Sequence, residues 1–196
     1  MAAADTSSSL CKGTQALAEM SFAPGALEWN KTYYWRIDEV NAANPASPWT
    51  GSVWSFKTAD FLVIDNMEGY TDDEGSRIYE TWIDGLTDGK SNSTVGNLNA
   101  PFAEQSRVHG GKQSMPVDYD NTKTPFYSEA TLEFASTRDW TVNGVSTLVL
   151  FMSGLVTNTA EPVYVVVEDS AGKSAIEVNA DAAIITKGTW TEWKIP

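Results

Sequence analysis

Apolar and polar positions alternate along much of this chain, and strands rather than helices follow from that. In 33–38, Tyr33, Trp35 and Ile37 fall on one side and Tyr34, Arg36 and Asp38 on the other. A period of two in β-forming residues marks a half-buried strand. Residues 52–58 return in the same way, with Val53 and Ser55 opposing Trp54 and Phe56. From Asn41 to Thr50, two prolines with Asn41, Asn44 and Ser47 predict a hairpin loop. Upstream, 1–20 is small and polar, with a short strand expected at 15–20 and a turn at Ala23-Pro-Gly25.

Further on, 61–64 is a four-residue apolar run that reads as a short buried strand. Residues 77–83 alternate again, with Ile78, Glu80 and Trp82 opposing Tyr79, Thr81 and Ile83. A long polar loop is expected over 84–99, punctuated by Gly85, Gly89 and Gly96. Strands are predicted at 102–108, at 112–119 after the His109-Gly-Gly turn, and at 130–134, with a turn at 139–144. The run 147–152 is apolar on both faces, which predicts a central strand. Strands at 163–168, 174–178 and 190–195 complete the set. Nothing sustains a 3.6-residue period, so the expected fold class is all-β.

A length of 196 residues with 42% hydrophobic and 20% charged content suits one or two globular domains. The division falls where the pattern changes character. After the apolar run 61–64, five carboxylates (Asp65, Glu68, Asp72, Asp73 and Glu74) follow within ten positions. We therefore expect domains at 1–59 and 60–196. A net charge of −13 argues against a nucleic-acid partner, which needs a basic footprint. Cys11 is the one cysteine, so neither an intrachain disulfide nor a thiolate zinc site is expected. No apolar run reaches the ~18 residues of a membrane-spanning helix. The first nine residues lack the basic and apolar regions of a signal peptide.

Two resemblances follow from these pieces. The run Tyr33-Tyr-Trp-Arg-Ile-Asp-Glu-Val40, followed by Val53-Trp-Ser-Phe-Lys-Thr58, resembles the last two strands of a fibronectin type III domain. Tyr33 stands where that family has its corner tyrosine, whose hydroxyl ties back to upstream backbone. Such a domain needs ~100 residues, so 1–59 is expected to be a partial module. A second ordered set comprises Val63-Ile-Asp-Asn-Met-Glu-Gly-Tyr70, Val108-His-Gly-Gly-Lys-Gln-Ser-Met115, the strands at 147–152 and 163–168, and Gly188-Thr-Trp-Thr-Glu-Trp193. It resembles the β-jelly-roll, carbohydrate-binding modules of secreted bacterial proteins. Those modules continue beyond the Trp-x-x-Trp strand into further strands, the last bearing an Asp that completes a structural calcium site. The resemblance implies an extracellular module, a poly- or oligosaccharide partner, no catalytic residue, and self-association through incomplete sheets.

The same resemblance assigns a structural Ca²⁺ to Asp65 and Glu68, with backbone ligands in the turn from Lys112 to Ser114. Asp72, Asp73 and Glu74 are expected to face solvent. Eight Trp, seven Tyr and seven Phe supply flat faces for sugar C–H surfaces. Trp35, Trp54, Trp140, Trp190 and Trp193 are assigned to sheet faces or core. Tyr79, Trp82, Tyr119, Phe126 and Tyr127 border polar loops and are the candidates for ligand stacking. His109, the one histidine, has Ser106 and Ser114 nearby in sequence but no Gly-x-Ser-x-Gly pattern. A structural or adhesive spacer, or a hydrolase using His109 or a carboxylate pair, are the competing functions. Asn30-Lys-Thr32 and Asn92-Ser-Thr94 match the glycosylation pattern.

Overall fold

Facing aromatic residues hold the first hairpin. In the computed structural model, which describes residues 9–196, β1 (Thr32–Trp35) runs antiparallel to β2 (Trp54–Lys57). The register sets Tyr33 opposite Phe56 and Trp35 opposite Trp54, with ring centroids 5.7 and 5.9 Å apart. Cross-strand pairs of this kind are the unit of sheet stabilisation. Beyond β1, Arg36 forks onto Asp38, Nε to Oδ1 at 2.7 Å and Nη2 to Oδ2 at 2.8 Å. That guanidinium, helped by the Gly51 N–H, holds the Asp38 carboxyl below its ordinary value. Gly51 has to be glycine, because a Cβ there would lie 1.9 Å from the Ile37 carbonyl oxygen. The Tyr33 hydroxyl accepts from the Glu28 N–H at 2.9 Å. No strand forms at 15–20, and the reading of the chain's first eight residues falls outside the described residues.

The chain divides into two units between Leu62 and Val63. In the second unit, α1 (Ile78–Thr81) is a single turn leading directly into β3 (Trp82–Asp84). The alternation over 77–83 predicted one continuous strand, and the difference has a local cause. Glu80 Oε2 accepts from the Gly75 and Arg77 N–H groups at 2.8 and 2.9 Å, closing the turn that drives Ile78 inward. Next come α2 (Gly85–Asp88), β4 (Ser93–Val95), β5 (Val117–Tyr119) and β6 (Ala130–Leu132). Thus the segment expected as a plain loop over 84–99 holds a helical turn and a strand. The apolar run 61–64 is not a strand: Phe61 and Val63 are exposed, and no ladder hydrogen bonds reach it. Over 102–108 only an isolated bridge forms, Glu104 with Ser114.

The remaining strands are β7 (Leu148–Met152), β8 (Tyr164–Glu168), β9 (Ser174–Val178) and β10 (Thr191–Ile195). All pairs are antiparallel and two-stranded: β3 with β6, β4 with β5, β7 with β10, and β8 with β9. Strands therefore predominate, and the fold is β-rich.

Side chains gather in two clusters. Ile78, Val95 and Ala103 form one, packed by Met67, Tyr70, Tyr79, Trp82, Phe102 and Met115. Ile184, Trp193 and Ile195 form the other, covered by Leu148, Leu150, Met152 and Val165. The prediction of a central strand at 147–152 is corrected here. β7 has one neighbour, so Leu148, Leu150 and Met152 turn inward while Val149 and Phe151 stay exposed.

Candidate functional site

Glu68 meets the turn that the sequence paired it with, through hydrogen-bond donors, while Asp65 is engaged by Met67, Tyr70 and Trp82. Asp65 Oδ1 accepts from the Met67 N–H at 2.7 Å, while Oδ2 accepts from the Tyr70 hydroxyl at 2.5 Å and the Trp82 indole N–H at 2.9 Å. Burial and the Asp65 carboxylate push the Tyr70 phenol well above its ordinary value. Glu68 Oε1 accepts from the N–H groups of Lys112 and Gln113, at 2.9 and 3.2 Å. Gln113 Nε2 returns the tie by donating to the Met67 and Tyr70 carbonyls, at 2.6 and 2.9 Å. Gly111 sits at φ 78°, and a Cβ on it would lie 2.3 Å from Glu68 Oε1.

The bonds to both carboxylates come from N–H and O–H donors, whereas a hard cation gathers six to eight oxygens. Lys112 gives Glu68 its backbone N–H. Ser114 pairs both backbone groups with Glu104, at 2.8 and 3.0 Å, and donates its hydroxyl to the Arg107 carbonyl at 2.7 Å. Glu68 and Gln113 staple the 65–70 loop to the 111–114 turn, and Asp65 ties that loop to Trp82.

The five stacking candidates separate into two groups. Tyr79 packs edge-on against Phe102, with centroids 5.2 Å apart, and belongs to the Ile78 cluster. Trp82 is half-buried with its indole N–H given to Asp65. Tyr119 is half-buried and donates its hydroxyl to the Thr159 carbonyl at 3.2 Å. These three are committed to the fold. Phe126 and Tyr127 remain at the surface, 64% and 37% exposed.

The loop carrying them is tied down at many points. Asn92 accepts from the Asp120 N–H at 3.2 Å and donates its own N–H to the Tyr127 carbonyl at 3.0 Å, joining both ends of the loop. Its side-chain amide donates to the Lys123 carbonyl at 2.8 Å. Lys123 Nζ sits 2.7 Å from Asp120 Oδ2, and Ser128 donates to Asn121 at 2.8 Å. The Lys123 ammonium, with Thr122, holds the Asp120 carboxyl down at about 2. Phe126 itself lies at φ 66°. For a bulky side chain that conformation is strained.

Sequence reasoning passed over two groupings. Asp84, 2% exposed, accepts from the Thr87 N–H at 2.8 Å and the Val95 N–H at 2.5 Å. Ser93, equally buried, accepts from the Gly85 N–H at 2.8 Å and donates to the Glu129 carbonyl. An Asp opening a helical turn is an N-cap, and this pair is a satisfied structural network. The second grouping is His109, whose ring stacks on Phe151 at 3.9 Å and 15° and meets Trp190 edge-on at 5.5 Å. Of the serines near His109 in sequence, Ser106 donates to Glu104 and Ser114 to Arg107. Neither hydroxyl is aimed at the imidazole. No period or spacing signal in the sequence joins residues 109, 151 and 190.

The chain matches no protein-family model, no curated protein and no solved structure.

Two outcomes follow from this geometry. Glu68→Ala removes the acceptor of two N–H groups and is expected to cost ~1.5 kcal/mol, the low end for charge-assisted bonds because Glu68 is exposed. The resulting fall in melting temperature should be the same in millimolar calcium and in chelator. A calcium-induced rise in the parent protein that Glu68→Ala abolishes would restore the cation site. The second outcome concerns pH. With its folded value lowered to about 2 and an unfolded value near 3.8, Asp120 contributes stability that is present above pH ~4. That contribution is lost as pH falls through about 2. Carboxyl NMR should therefore place the Asp120 midpoint near 2, and a midpoint near 4 would show that Lys123 does not hold it.

Proposed function

We propose that this chain is a non-catalytic carbohydrate-binding accessory module of a secreted protein. In this reading 1–59 is a fibronectin type III-like segment and 60–196 a jelly-roll-like sandwich. The bond from the Glu28 N–H to the Tyr33 hydroxyl supports the first assignment. Pairing of β3 with β6 and β7 with β10, both distant in sequence, supports the second. An extracellular setting rests on the likeness to secreted modules. No metal enters the reading.

The observation that carries it is the presentation of Phe126. A large aromatic ring is 64% exposed on a loop pinned at both ends, at a backbone angle such a residue does not choose. Strain of this kind costs of order 1–3 kcal/mol and collects at binding sites. A flat ring held toward solvent offers a pyranose face large contact area at small entropic cost. Tyr127 adds a second face and a hydroxyl, and the surrounding Asn121, Thr122 and Lys123 supply polar groups for sugar hydroxyls.

Glycan-array screening followed by calorimetry tests this. A poly- or oligosaccharide should bind, and replacing Phe126 and Tyr127 together with Ala should weaken that site by about 10- to 100-fold. This corresponds to the ~1.5–3 kcal/mol of one buried aromatic face. A screen without any glycan hit would reject the function.

A second reading, a structural module that associates with itself, is favoured by one face of the β1–β2 hairpin. Trp35, Trp54, Phe56 and Ile37 are 46%, 61%, 43% and 69% exposed. Contiguous apolar surface of this kind marks an association site. Light scattering at micromolar concentration should find a species heavier than the 21.4 kDa monomer, shifted back toward monomer by Trp54→Ser. A clean monomer would remove this reading and leave the glycan proposal untouched.

A further inference from the structure

The His109–Phe151–Trp190 grouping is not explained by packing. Phe151 points away from the Ile184 cluster, on the opposite side of β7 from Leu150 and Met152, and is 44% exposed. His109 is exposed too, yet its ring lies nearly parallel to Phe151 at 3.9 Å. Three rings from three separate segments therefore gather as an aromatic shelf, in which His109 and Phe151 cover one face of each other and half-buried Trp190 meets His109 edge-on.

The rim of the shelf is polar and fixed. Arg107 reaches the end of β7, where Nη1 donates to the Gly154 carbonyl at 2.7 Å and meets Ser153 Oγ at 3.4 Å. Gly154 is itself immobilised: its N–H donates to the Lys187 carbonyl at 2.8 Å, and a Cβ would lie 1.6 Å from the Ile185 carbonyl oxygen. An arginine carries five N–H donors, and the Nε and Nη2 groups of Arg107 take no partner among the described residues. Glu192 lies opposite Phe151 in the ladder and pairs with Lys194 at 3.0 Å, so their charges cancel. The Glu68 staple and the Ser114 bond to Arg107 fix the segment that carries both His109 and Arg107.

We propose that Phe151, His109 and Trp190, with Arg107 at their rim, form a second glycan-binding site that takes a neutral oligosaccharide. The C–H face of a pyranose stacks on an outer face of the Phe151–His109 pair, and the free guanidinium donors of Arg107 meet its hydroxyls. Charge selects the neutral ligand. A polyuronate would have to approach a chain of net charge −13 with the Arg107 guanidinium to receive it. The site shares its ligand class with the proposed function but none of its residues.

The full chain is titrated at pH 7 and 0.15 M salt with cellohexaose, laminarihexaose, xylohexaose and hexagalacturonate, followed by calorimetry and by the His109 ring-proton signals. The Phe126→Ala/Tyr127→Ala, Phe151→Ala, Phe151→Tyr and Arg107→Gln variants are compared with the parent at matched melting temperature. A neutral hexaose should shift the His109 protons, and should do so still in the loop double variant. Phe151→Ala should weaken that binding at least tenfold, Phe151→Tyr should restore it, and Arg107→Gln should weaken it several-fold. The shelf is overturned if Phe151→Ala binds like the parent, if hexagalacturonate binds tighter than every neutral hexaose, or if no hexaose moves the His109 signals. Loss in the loop variant alone leaves the Phe126 site standing and the shelf rejected. Loss in Phe151→Ala alone does the reverse.

Discussion

The second unit hangs on two carboxylates used as acceptors. Asp65 gathers a backbone N–H, a phenol and an indole N–H, while Glu68 takes two N–H groups from a turn more than forty residues away. Gln113 closes the loop by donating back to Met67 and Tyr70. Each tie is a charge-assisted or partly buried bond, worth more than an exposed neutral one. Their joint effect is to lay Met67, Tyr70 and Trp82 over the Ile78 cluster. Without them the 65–70 segment has no ladder to belong to, since it pairs with no strand. The same bonds position the segment 107–114, so the core and the His109 shelf depend on a common anchor.

That dependence matters because the sheets are small. Every pairing is two-stranded, and an isolated hairpin is marginal in water. Stability must come from what the ribbons bury together. β7 and β10 manage it by alternation, sending Trp193, Ile195, Leu150 and Met152 to one side. The β8–β9 hairpin leaves Val166, Ile176 and Val178 about half exposed or more, at 49%, 63% and 51%. Buried polar groups compensate elsewhere. Asp84 and Ser93 sit inside the unit with every described buried side-chain polar atom satisfied, so the penalty for burying them is met by bonds.

Period-two patterning made the hairpin of β1 and β2 legible, and runs of β-forming residues made the ribbons β7 to β10 so. It failed where a side chain outbid the pattern. Glu80 is a polar position in an alternating run, yet its carboxylate captures two N–H groups and bends 78–81 into a turn. Ser93 reads as loop, but its hydroxyl and the Asp84 carboxylate make a strand possible in a polar stretch. The apolar run 61–64 satisfied the composition of a strand and lacked a partner, which composition cannot supply. At the candidate site, Glu68 lies against 112–114 as expected, whereas Asp65 turns to Met67, Tyr70 and Trp82. The direction of the bonds was not legible, because a carboxylate beside a Gly-Gly turn suits a cation and a backbone N–H equally well.

Aromatic residues show the same limit from another side. Sequence context put Tyr79, Trp82 and Tyr119 beside polar loops, and each proves to be turned inward with its ring or polar tip engaged. Trp190 and Phe151 looked like core and instead meet His109 at the surface. Tyr79 is held by ring packing against Phe102, and in Trp82 and Tyr119 the polar handle found a partner. Trp82 gave its N–H to Asp65 and Tyr119 its hydroxyl to Thr159, which lets a ring be covered without an orphaned donor. Phe126 and Phe151 have no handle, and burial would suit them best, yet they are the more exposed rings. Phe126 is kept out by a backbone angle and a pinned loop, Phe151 by the alternation of β7. In both cases the fold opposes the hydrophobic preference of the side chain, and a ligand that covers the ring would relieve that conflict.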